Sequence, residues 1–94
     1  MTIKERFVND VTGVVGFANE SIRNHPQIAR LDKIGACIKS LTMTCKYRTK
    51  ITKSTARSTL CIIRCLRDIF KKEGLTDCAT ALNIMSNVFE DNYL

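Results

Sequence analysis

The chain has 94 residues, a formal net charge of +6, 45% apolar residues, one proline and no tryptophan. That length holds one domain over 1–94, and the apolar content excludes intrinsic disorder. A chain this short buries a modest share of its surface, so self-association is expected from size alone. No apolar run reaches the roughly 18 residues of a membrane span, and "MTIKERF" runs into Asn9 and Asp10 and not into a leader-type apolar core. A soluble protein of the cytoplasm is expected.

Thr2 precedes apolar residues at Ile3, Phe7, Val11, Val14, Val15, Ala18 and Ile22, the period of a one-sided helix. Glu5, three residues after Thr2, fits a capping box. Gly13 and Gly16 each weaken a helix by roughly 1 kcal/mol, so they are expected to serve close packing against a neighbour. The helix ends at "NHPQ", because a residue before proline avoids the α region and Pro26 suits a new first turn.

From Pro26 the pattern resumes through Ile28, Leu31, Ile34, Ile38, Leu41 and Cys45, and later through Ile63, Leu66 and Phe70, with Gly74 as the C-terminal cap. A last helix follows Thr76, with Leu75, Cys78, Leu82, Met85 and Phe89 apolar and Asp77 at the positive end of its dipole. No strand-like alternation occurs. The chain reads as all-α: a helical hairpin with a long basic second helix over about 26–72, a C-terminal helix, and dimerisation into a helical bundle.

Continuity of that second helix decides the layout. At about 100° per residue, Ala56, Thr59, Ile63 and Phe70 fall in the same sector as Leu31, Ile34, Ile38, Leu41 and Cys45. This shared phase favours one helix of about 45 residues, roughly 65 to 70 Å long. Against it, "RTKITKSTARST" is rich in Thr and Ser, and Ser54 or Thr55 would cap a fresh helix, breaking the segment near 49–55. The wheel is read as the stronger signal, with small Thr49, Thr52, Ala56 and Thr59 marking a helix-crossing point.

Charge is concentrated in the same segment. Between Lys33 and Arg67 lie nine Lys/Arg and no acid, while the rest of the chain has six bases and nine acids. On the continuous wheel Lys39, Lys46, Lys50, Lys53, Arg57 and Arg64 share one side, and from Lys39 to Arg57 the row spans about 27 Å. Arg48 falls on the opposite side, and only its charge recommends it. Such a row suits a phosphate backbone, where Lys and Arg release counterions and Ser/Thr hydroxyls reach phosphate or ribose oxygens. Tyr47 is the segment's only aromatic, which favours a duplex over a stacked single strand.

Other chemistry finds little footing. Five cysteines without framework spacing, and His25 as the only histidine, make no metal-ligand set, so reduced, packed thiols are expected. No phosphate-cradling glycine loop, acid pair or nucleophile–base arrangement points to an enzyme or a small-molecule substrate, and no cofactor is implied.

The stretch "RLDKIGACIKSLTMT", Arg30 to Thr44, resembles the B-two proteins of insect nodaviruses in its Leu31-Asp32, Ile34, Ala36-Cys37, Ile38 and nearby Lys39. The match covers some 15 residues, and the rest only in the order of elements. The resemblance implies an all-α homodimer, a four-helix bundle that lays its long helices along double-stranded RNA. It also implies sequence-independent suppression of RNA silencing, with duplexes shielded from Dicer-type cleavage in the host cytoplasm. Only Cys37 and Lys39 lie within the matched motif; the other lysines rest on the wheel. The alternative is a small helical interaction module whose basic face binds an acidic protein partner. Helix-turn-helix DNA binding ranks last, because Ser58 to Lys72 is poor in base-reading side chains.

Overall fold

The computed structural model describes all 94 residues as four α-helices: α1 Ile3–Asn24, α2 Asp32–Tyr47, α3 Lys53–Lys72 and α4 Thr76–Tyr93. A single 3-10 turn, Pro26–Ile28, stands between α1 and α2. The all-α reading holds. The helices follow one another around a bundle, α1 packing on α2, α2 on α3, α3 on α4, and α4 back on α1.

The local signals act where their chemistry requires. Thr2 Oγ1 accepts the Glu5 backbone N–H at 3.1 Å and donates to Glu5 Oε1 at 3.1 Å, closing the first turn of α1. After α3, Gly74 takes φ +82°, the one left-handed residue in the chain. Its N–H donates to Lys71 O and the Leu75 N–H reaches Phe70 O at 2.9 Å, the paired bonds of a Schellman ending. Pro26 opens only the 3-10 turn, and α2 begins at Asp32.

The helix over about 26–72 is broken, close to the 49–55 stretch where Thr and Ser argue against continuity, and the residue that caps the new helix is Thr52, not Ser54 or Thr55. Arg48 and Thr52 are extended, with ψ 117° and 166°, and the five residues 48–52 connect α2 to α3. The molecule measures 37 × 23 × 20 Å, far short of a continuous helix of that length. Two causes act together. Thr52 Oγ1 accepts the Thr55 N–H at 3.1 Å, so the Thr/Ser-rich stretch caps a new helix. Folding α3 back along α2 also lets both apolar stripes meet one core, which a straight monomeric helix could not do. The shared phase on the wheel therefore reflects two helices facing the same interior. Of the small residues assigned to a crossing point, Ala56 and Thr59 are buried, whereas Thr49 and Thr52 are exposed.

Fifteen buried apolar residues form one cluster, among them Phe7, Val11, Ile34, Leu41, Ile63, Leu66, Phe70, Leu82 and Phe89. Full burial of each large side chain contributes about 1.5 to 3 kcal/mol. Phe7 meets Phe89 and Tyr93 edge-on at 5.8 and 5.6 Å, closing the α1–α4 seam. Buried Ser21, Thr59 and Ser86 satisfy their hydroxyls on carbonyls of their own helices, so no buried side-chain polar atom is left unpaired. Gly13 and Gly16 depart from expectation: both are exposed, with no atom within 4 Å of where a Cβ would stand. They pack against nothing within the chain. No helix is long and apolar enough to cross a membrane.

Candidate nucleic-acid interface

The antiparallel pair α2–α3 and its loop, residues 32–72, carries eleven Lys/Arg and two Asp. The remainder carries four bases and seven acids. Since α2 and α3 are neighbours in the bundle, this segregation in sequence becomes segregation in space: a +9 side opposite an α1–α4 side of net −3.

The fold redistributes the expected cation row. Lys39 and Lys46 stand on α2, Arg48 and Lys50 in the loop, and Lys53 and Arg57 in the first turns of α3. All six are exposed, and none takes part in an ion pair. They do not form a straight row along one helix. Four of them, Lys46, Arg48, Lys50 and Lys53, lie within eight residues around the hairpin bend, with Lys39 two turns back along α2 and Arg57 one turn into α3. Arg48, placed on the wrong side by the wheel, joins this group because the loop abolishes helical phase.

Arg64 leaves it. Its Nη2 lies 3.3 Å from Glu90 Oε1 and 3.4 Å from Asn87 Oδ1, tying α3 to α4. Arg67, also beyond the bend, donates to Asn83 Oδ1 at 2.8 Å and to Asp68 Oδ1 at 3.0 Å.

The bend is anchored from two directions. Ile51 is half-buried against the core. Lys4 of α1 donates through Nζ to Cys45 O at 3.2 Å and to Arg48 O, placing a cation on the carbonyl end of α2. Wheel reasoning did not find Lys4, because its partner is forty-four residues away. The loop is thus held by the body of the bundle, and its cations project from a positioned frame.

No three Cys, His, Asp or Glu side chains come together as a set of metal ligands. Burial, with a smaller contribution from Cys65, pushes the Cys37 thiol up. Burial also raises Cys45, against the opposing pull of Lys4. Both are therefore protonated at neutral pH and pack as small apolar groups. Cys61 and Cys65 depart from the expected packing and are exposed on α3, whereas Cys37, Cys45 and Cys78 are half-buried.

Chemically, the site is a cluster of solvent-facing cations outside ion pairs, interleaved with the exposed residues Thr49, Ser54 and Ser58. What it offers is backbone contact with a polyanion. The fold and site thus define a small four-helix bundle with a basic hairpin side. No protein-family model, curated protein or solved structure matches the chain.

Proposed function

We propose that this chain is a sequence-independent double-stranded RNA-binding protein, a viral suppressor of RNA silencing that shields duplexes from Dicer-type cleavage, working as a homodimer in the host cytoplasm. The observation that carries the binding reading is the acid-free run from Lys33 to Arg67, in which Lys39, Lys46, Arg48, Lys50, Lys53 and Arg57 are all exposed around the α2–α3 bend. Four of the six crowd into the eight residues 46–53 of that run, a concentration that suits an external polyanion. Hydroxyls between them suit phosphate and ribose oxygens, and the absence of a base-reading helix surface suits recognition of shape. The suppressor role and the choice of RNA follow from the nodavirus-like stretch Arg30 to Thr44.

The test is a titration of an arbitrary RNA duplex by fluorescence anisotropy across a salt series. With six phosphate contacts per protomer at roughly −0.9 each, log K against log salt is expected to fall with a slope of about −5 for each protomer that touches the duplex. The Lys46→Gln/Lys50→Gln/Lys53→Gln variant should keep its helical circular dichroism, show about half that slope, and fail to protect a long duplex from an RNase III-type nuclease. Absence of duplex binding at low salt sinks the proposal. Binding to an acidic polypeptide in its place would identify a protein-interaction module.

A further inference from the structure

Tyr47 is the last residue of α2 and stands directly beside the basic loop. Of the six aromatic residues, Phe7, Phe70 and Phe89 are buried and Phe17 and Tyr93 half-buried, while Tyr47 is 62% exposed. Its hydroxyl makes no hydrogen bond within the chain, unlike that of Tyr93, which donates to Asp10. Lys46 Nζ lies over the ring, 5.4 Å from its centroid, so a cation covers the ring while most of the residue stays in water. Along the same side of α2 a shallow recess is lined by Ser40, Met43, Thr44, Tyr47 and Arg48. Met43, one turn before Tyr47, is itself 45% exposed. The Arg48 guanidinium is in no ion pair.

We infer that Tyr47 and this recess form a stacking site for an unpaired nucleobase next to the bound duplex, as in an overhang or a bulge. The inference rests on the nucleic-acid reading above and adds to it a second ligand element. A flat π-system beside free cations matches a nucleotide, which presents a π-face and a phosphate a few bonds apart. An acidic peptide would satisfy Lys46 and Arg48 but leave the ring and Met43 in water. Met43 offers a soft, adaptable surface against a base edge or face, and Arg48 can stack or take the flanking phosphate. A base inside an intact duplex keeps its faces covered by its neighbours, so only an unpaired one can use the ring. The helix break leaves Tyr47 on the last turn of α2, with Arg48 extended beyond it and lining the same recess.

The experiment compares a blunt RNA duplex with the same duplex carrying a short single-stranded overhang. Wild type should bind the overhang form about tenfold more tightly, within the range of one stacked base. Tyr47→Ala should abolish that preference while leaving blunt-duplex affinity within about twofold, and Tyr47→Phe should keep it. The chain has no tryptophan and two tyrosines, so in a Tyr93→Phe background the overhang should quench the fluorescence of Tyr47 as the sole fluorophore. Equal affinity of wild type for the two RNAs, with unquenched Tyr47, overturns the inference and leaves the duplex reading standing. Failure of both RNAs to bind wild type overturns the two together.

Discussion

Arg64 reaches from α3 to Glu90 on α4, with Nη2 3.3 Å from Oε1, and so leaves the group of free cations to which its helical position assigns it. Both side chains are about a third to a half exposed, so solvent screening limits the pair to about 0.5 kcal/mol. Arg64→Gln is therefore expected to lower stability by no more than about 0.5 kcal/mol and to leave duplex affinity within about twofold. Parallel urea unfolding and anisotropy titrations check this, and a tenfold loss of affinity would return Arg64 to the interface.

Thr52 decides where α3 begins, through its Oγ1 and the Thr55 N–H. Thr52→Ala removes that acceptor and should cost about 1 kcal/mol in chemical denaturation. Because folding back of α3 also rests on burial of Ala56, Ile63 and Leu66, the variant should remain a bundle of unchanged hydrodynamic size. An elongated particle in small-angle scattering would show that the cap alone holds the bend.

Gly13 and Gly16 face open space on α1, and Gly13 lines a groove shared with exposed Ile84 and Val88 of α4. Alanine at either position should stabilise the monomeric bundle by about 0.5 to 1 kcal/mol, because it lowers unfolded-state entropy without a clash. Thermal denaturation reads the change. A drop in melting temperature would reveal that something outside this chain packs closely on the glycines.

Tyr93 makes stability depend on alkaline pH. Its burial, its hydrogen bond to Asp10 Oδ2 at 2.7 Å and the charge of that carboxylate all push the phenol above its usual value near 10, opposed by Arg6. The folded state thus holds the proton more tightly than the unfolded state. The contribution is complete below about pH 10 and is lost as pH rises above it, while the unfolded phenol ionises and the folded one does not. Cys37 and Cys45, also raised, add a loss in the same direction from about pH 9. Tyr93→Phe should therefore cost about 1 kcal/mol at neutral pH for the lost hydrogen bond and flatten the decline above pH 10 relative to wild type. Identical alkaline slopes for the two proteins would remove Tyr93 as the cause.

Much of the helical layout was legible in the residues. The stripe Phe7, Val11, Val14, Ala18 and the stripe Ile63, Leu66, Phe70 are buried as their period requires, and Thr2 and Gly74 end helices by local chemistry that needs no partner. The candidate site was legible in composition and less so in arrangement. Lys39, Lys46, Lys50, Lys53 and Arg57 are exposed as expected, but a wheel presumes one axis, and five extended or irregular residues cancel it. Arg48 gained its place and Arg64 lost its own for that reason.

The sequence by itself determined the all-α class, the caps and the concentration of positive charge between Lys33 and Arg67, because these depend on neighbours within a turn or two. Only the tertiary structure decided that α2 and α3 fold against each other, which cations stay free, and that Tyr47 stands at the bend. Those outcomes depend on contacts far apart in the chain, such as Lys4 on the carbonyl of Arg48 and Arg64 on Glu90. A common core that buries both apolar stripes outweighs the local continuity of either one.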